Sequence, residues 1–326
     1  NEISGHTLPN PKDFPFYGVT FDLPLAFLEI ILKIEDSRNI FLLRHYFNFF
    51  VFFISSIYFF LLLKDRFKDN KILFIGIILF LTSPRIFGDS FYNNKDIIFL
   101  SFVTINIYYL FKFFDNSNLN NLFLFSLFSS LTCATRIIGI FLPLSFIIYI
   151  FVSRDQNSSW SNIFKKIITF NLIFFIFLIL FWPYLWANPI SNFFLSLKIF
   201  SSYPIEFKML FNGDYVNSKF LPLNYIPIWI TITTPLITLF LFLFGYFTLL
   251  KRFFIRLVNI RISASSNDFW KSQTEKKDFF IFLNFSAIFL YIILSNTDLY
   301  NGWRHLYFLH IFLSYIACIG VYKLFL

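Results

Sequence analysis

The chain has 326 residues, 57% of them hydrophobic and only 14% charged, with a formal net charge of +9. A soluble domain carries about 25% charged residues and could not bury this much apolar surface, so lipid must solvate most of it. The basic balance invites a nucleic-acid reading, but basic residues collecting in the cytoplasmic loops of a membrane protein explain it better.

Residues 1–45 are mixed rather than spanning and read as an outer loop. Asp22-Leu23-Pro24 is a helix start, a capping carboxylate with proline in the first turn. It opens an apolar helix over 23–34 that is too short to span and lies along the interface. Asp36-Ser37-Arg38 starts the next helix, which runs into a first span over 46–63. A charged turn at 64–71 leads to a span over 72–83, a polar loop over 84–96, and a span over 97–114. The long apolar stretch 122–152 is interrupted by Arg136, Gly139 and Pro143. A span follows the loop 153–166 and ends at Trp182-Pro183. A long loop reaches Pro227, a span runs from there to Leu250, and 251–277 is the most basic loop. The last two spans, 279–295 and 306–326, flank the short loop 296–305. Cys133 and Cys318 both stand in apolar runs, so neither a disulfide framework nor a zinc pattern follows.

The stretch 122–152 decides the threading. Two short helices turning near Arg136 leave essentially the whole net charge on one face, which includes the basic loop 251–277, and leave the other face neutral in sum. A single tilted helix would send that basic loop outside, against the positive-inside rule. The expectation is therefore an all-α polytopic transmembrane bundle of about eight spans. It forms a single domain, 1–326, with the outer loop and interfacial helix at 1–45 and the bundle at 46–326. A further span is expected ahead of Asn1.

Four polar constellations fall on the neutral, outer face. In Pro84–Asp96, two carboxylates, Asp89 and Asp96, stand near Arg85 and Lys95. They could hold a divalent cation or orient a hydroxyl, or Asp96 could cap a helix while Asp89 makes a turn. Arg136, between two apolar helices, could clamp a phosphate or snorkel to the interface. Trp182-Pro183-Tyr184-Leu185-Trp186 precedes the long loop that holds Phe211-Asn212-Gly213-Asp214 and Tyr225. Its aromatics form an interface belt by default and also suit an isoprenoid or the face of a sugar. Arg304-His305 opens the last span as an anion site. His310, inside that span, reads as a packed polar residue. The spans carry almost no acidic residues, whereas ion-coupled transporters place such groups near the midplane. A rim site suits an enzyme acting on a lipid headgroup.

The runs SPRIFGDSFYNNKD, ATRIIG, FWPYLWANP and YNGWRHLYF, in this order and on one face, resemble membrane glycosyltransferases of the GT-C superfamily. The similarity is to the protein O-mannosyltransferase and aminoarabinose-transferase-like group. That resemblance implies transfer of a sugar from a polyprenyl-phosphate donor to a lipid, glycan or protein acceptor, at the outer face of a bacterial inner membrane. It implies an outer-loop carboxylate as base: Asp89 and Asp96 match the second-loop acidic position, and Glu2 stands where a first-loop acid would fall. Arg304 and His305 match a late RH motif, and Arg85 and Arg136 are further phosphate contacts. Tyr225 is a substrate-binding candidate from the long loop. Some members use a divalent metal, for which Asp89 and Asp96 would be the ligands. A lipid-linked-sugar transporter or flippase, or a non-catalytic membrane subunit, are the alternatives.

Overall fold

The computed structural model describes residues 16–152, 159–201, 206–259, 270–295 and 297–325. It is a helix bundle, as expected for a chain whose backbone must satisfy its own polar groups in lipid. Among the described residues, five helices are long and apolar enough to cross a bilayer: α2 (Ser37–Arg66), α5 (Asp96–Asp115), α8 (Trp160–Phe181), α11 (Leu236–Val258) and α12 (Gln273–Leu294). Shorter apolar helices complete the bundle: α3 (Asn70–Leu81), α6 (Leu119–Thr135), α7 (Phe141–Val152) and α13 (Leu309–Leu324). Outside it lie α1 (Asp22–Ile31), α4 (Pro84–Asp89), α9 (Pro189–Ser201) and α10 (Tyr225–Thr233). The chain is an integral, multi-pass membrane protein.

Helix starts are set locally. Asp36 accepts the Asn39 N–H ahead of α2, and Asn118 that of Asn121 ahead of α6. Ser272 accepts the Glu275 N–H at 3.1 Å while the Glu275 carboxylate takes the Lys271 N–H, a capping-box variant at the start of α12. Asp22 does not cap α1: Phe21 holds that position, and Asp22 lies in the first turn, where it accepts from Asn94 at 3.0 Å. Leu23, Phe27, Ile30 and Ile31 of α1 point away from the bundle, giving it an apolar outer face.

The core is built on α13, buried from Leu309 to Val321. It crosses α11 so closely that a Cβ on Gly245 would sit 2.1 Å from the Ile316 carbonyl oxygen, and one on Gly320 2.1 Å from that of Leu241. Small residues at such a crossing let dispersion, rather than a hydrophobic force absent in lipid, hold two helices together. Buried polar side chains inside the bundle find partners across helices: Asn106 with Ser129, Ser145 with Asn284, and His310 with the Phe80 carbonyl.

The break near Arg136 is present. α6 ends at Thr135, Arg136 is extended at φ −146°, and a short 3-10 turn (Ile137–Ile140) leads into α7. Three local features differ from expectation. The 84–96 loop opens with a helix, α4, because Pro84 after Ser83 fits a first turn. The span expected from Pro227 to Leu250 is broken at Thr234-Pro235, since a residue before proline avoids helical ψ. The long loop contains a hairpin, β1 (Lys208–Phe211) with β2 (Asp214–Asn217), turning on Asn212 and Gly213, both at positive φ.

Loops gather at two rims. On one, Arg66 pairs with Asp278, Lys112 with Asp65 and Lys277 with Asp115. On the other stand α4, the Arg136 break, the hairpin, α10 and the 297–306 loop.

Candidate functional site

α4 sets Arg85 and Asp89 one turn apart, on a single face. Arg85 Nε donates to the Tyr307 hydroxyl at 2.7 Å, and its other nitrogen to the Asn301 carbonyl at 3.1 Å. Its guanidinium also lies over the Trp229 ring, 5.6 Å from the centroid. Asp89 accepts the Tyr92 hydroxyl at 2.5 Å. Burial, and hydrogen bonding to Asp89, push the Tyr307 phenol up, so it stays a proton donor to that carboxylate while accepting from Arg85.

Tyr225 is fully buried at the start of α10, where its hydroxyl accepts the Gly302 N–H at 3.1 Å. Gly302 has φ +72°, and a Cβ there would lie 3.2 Å from the Trp229 ring, so glycine lets the 297–303 loop approach α10. Trp303 Nε1 donates to Thr233 at 2.7 Å and fixes the same contact. These elements enclose a cleft of about 700 Å³. Arg85, Asp89, Tyr92, Asn93 and Asn94 line one side, Tyr225, Trp229, Asn301, Gly302 and Arg304 another, and Lys208–Leu210 of β1 a third.

Asp96 opens α5 behind that cleft and is only 3% exposed. It forms an ion pair with Arg136, and Arg304 Nε lies 3.9 Å from its other oxygen. The Nε–H groups of both arginines are buried and lack a hydrogen-bond acceptor among the described residues. Arg304 also rests over the Tyr300 ring at 4.6 Å, and His305 meets that ring edge-on. Burial, then the Arg136 and Arg304 charges, hold His305 well below its usual range, so it is neutral at pH 7. Lys95, just ahead of Asp96, is lowered by burial and by Arg136. Its Nζ stands 3.7 Å from the Tyr17 ring centroid, and it has no ion pair among the described residues. A strap at 16–21 closes the flank: Gly18 N–H bonds to the Ala134 carbonyl, Val19 N–H to that of Phe181, and Thr20 to Thr135.

Of the candidates read from sequence, Arg85, Asp89, Tyr225 and Arg304 line one cleft. Asp96, Arg136 and His305 stand together behind Arg304. Glu2 lies outside the described residues. Asn93, Tyr92, Tyr307 and Trp229 escaped the sequence reading. Asn93 was signalled only by its place between two acids, and Tyr307 by nothing local, since Arg85 meets it from across the chain. As a metal site the acidic pair fits poorly: the Asn93 amide donates to both carboxylates, at 3.4 Å and 3.1 Å, and Asp96 is neutralised by Arg136. Among the described residues no group of three or more His, Cys, Asp or Glu is placed to hold a metal ion.

The multi-span bundle carries a polar, cation-rich cleft at its rim. Residues 23–186 match the dolichyl-phosphate-mannose-protein mannosyltransferase family, and the chain belongs to that family. It is a membrane glycosyltransferase of the GT-C type. The match spans half of the chain and contains Arg85, Asp89, Asp96 and Arg136. No curated protein and no solved structure matches the chain.

Proposed function

We propose that the cleft transfers a sugar from a polyprenyl-phosphate donor to a hydroxyl of a lipid, glycan or protein acceptor. The observation that carries the reading is the cation group around Asp96: Arg136 and Arg304 share one buried carboxylate and keep unsatisfied N–H groups, with Lys95 beside them. Such an arrangement is costly unless an anion completes it, and a donor phosphate at the rim would do so.

In the reaction the bond from the anomeric carbon to the phosphate oxygen breaks and its electron pair leaves with the phosphate. The acceptor oxygen bonds to the anomeric carbon from the opposite side. Arg304, Arg136 and Arg85 stabilise the charge that builds on the departing phosphate. Asp89, open to the cleft, takes the acceptor proton, while Tyr92 and Tyr307 hold it in place. Asp96 orients the two guanidiniums, neutral His305 packs beside them, and Tyr225 shapes the cleft wall. Glu2 is the alternative base that the family resemblance brings forward. The positive-inside rule puts the basic rim in the cytoplasm and the cleft outside it, which fits a bacterial inner membrane.

Arg304→Ala tests the proposal in membranes supplied with radiolabelled polyprenyl-phosphate sugars. Transfer is expected to fall about 10²–10³-fold with the thermal midpoint of the purified protein unchanged. Undiminished transfer would overturn the reading.

A further inference from the structure

Two carboxylates in one loop can share a divalent cation, yet here an amide occupies the space between them. Asn93 Oδ1 accepts the backbone N–H of Asp96 at 3.0 Å and that of Lys95 at 3.4 Å. The oxygen is thereby committed to the start of α5, so the NH₂ end must face the acids. Each of its two hydrogens goes to a different carboxylate: Asp96 Oδ2 at 3.1 Å and Asp89 Oδ2 at 3.4 Å. The same side chain borders the cleft.

The surroundings make this bridge matter more for Asp89 than for Asp96. Arg136 and Arg304 neutralise Asp96 from the α6 end and the 304–306 turn, with Lys95 and His305 beside them. Asp89 has no ion pair among the described residues: it is met by Tyr92 from its own loop and by Tyr307, through which Arg85 acts. Its orientation thus depends on neutral donors, of which the Asn93 amide is the one anchored to the backbone. A donor amide between two acids lowers their mutual repulsion without adding charge.

We infer that Asn93 is a positioning residue that stands in for a bridging cation, holding Asp89 aimed into the cleft so that the acidic pair works without a divalent metal. The kinetic half of this inference rests on the glycosyl-transfer reading; the metal-binding half does not.

Serine and aspartate both serve as good helix caps, so Asn93→Ser and Asn93→Asp keep the start of α5 while removing the double donor. The full chain in lipid nanodiscs is used throughout, and thermal unfolding verifies the fold of each variant. Wild-type transfer is expected to be indifferent to EDTA. Both variants are expected to lose roughly ten-fold or more in kcat with KM little changed. Asn93→Asp, with a third acid in place of the amide, is expected to bind Mn²⁺, visible as loss of the free-ion EPR signal, and to recover part of its rate. Wild type and Asn93→Ser are expected to leave that signal intact. Loss of wild-type transfer in EDTA, a wild-type rate in either folded variant, or no Mn²⁺ binding by folded Asn93→Asp would each overturn the inference. If the wild type transferred no sugar from any polyprenyl-phosphate donor, the glycosyl-transfer reading would fail, and the EPR comparison would still decide the role of Asn93.

Discussion

The ion pairs at the basic rim and the cluster around Asp96 handle charge in opposite ways. At the basic rim four cations each hold an acid of their own: Arg66 with Asp278, Lys112 with Asp65, Lys277 with Asp115 and Arg256 with Glu275. At the cleft rim one buried carboxylate, Asp96, serves both Arg136 and Arg304, while Lys95 leans on an aromatic ring. Those four pairs match one cation to one acid within the rim that carries the net positive charge, whereas the Asp96 cluster gathers more cations than acids within the rim that is neutral by count. Summed charge therefore reports how the chain is threaded, whereas the pairing pattern marks the proposed donor-phosphate site.

The sharpest way to break this comparison is to remove one arginine from the shared pair. Arg136→Ala leaves Asp96 with Arg304 and the Asn93 amide, so the buried charge keeps partners and folding is little affected. Transfer should fall about 10²–10³-fold, the cost of losing one charge-stabilising donor. Single-turnover assay with a labelled donor measures it. A large loss of stability with normal turnover in the surviving fraction would make the cleft rim a structural pair like those at the opposite rim.

The rims were legible in the sequence to different depths. The threading followed from Arg136 and the basic loop 251–277, because lipid penalises a misplaced charge and the pattern is one-dimensional. The pairing was not legible: Arg66 finds Asp278, and Arg85 finds Tyr307, from opposite ends of the chain. Asp96 read equally well as a cap, a base or a ligand, and only its burial against two arginines distinguishes these. The hairpin and the Pro235 break were within reach, since Asn212-Gly213 is a turn signal and Thr234-Pro235 a helix boundary. Both were hidden by the apolar runs around them, where hydropathy outweighs local backbone cues.

At the basic rim the same kind of substitution should do the reverse. Asp278 is 0% exposed and takes both Arg66 nitrogens at 2.8 Å, with the Tyr315 hydroxyl at 3.0 Å. Arg66→Ala strands that carboxylate and should destabilise the fold by roughly 3–5 kcal/mol, seen as a lower thermal midpoint in detergent. The rate per folded molecule should stay at the wild-type value. Arg66→Met combined with Asp278→Asn removes both charges and should restore most of the loss, because burying an ion pair is itself expensive.

The smallest effect expected is a pH dependence confined to the cleft rim. His305 is held well below 6.5 by burial first and by Arg136 and Arg304 second. Its folded-state value lies under that of the unfolded chain, so its contribution to stability is complete above pH 6.5 and drains away as pH falls below it. Over that window the unfolded chain takes up a proton that the folded site refuses. The slope from this one group cannot exceed about 1.4 kcal/mol per pH unit. Thermal midpoints recorded from pH 7.5 down to pH 5 should therefore fall less steeply for His305→Asn than for the wild type. Arg136→Ala should also flatten the curve, since it removes one of the two repelling charges. Parallel curves for wild type and His305→Asn would mean that His305 is protonated in the folded protein, and that the excess cations at this rim do not act on it.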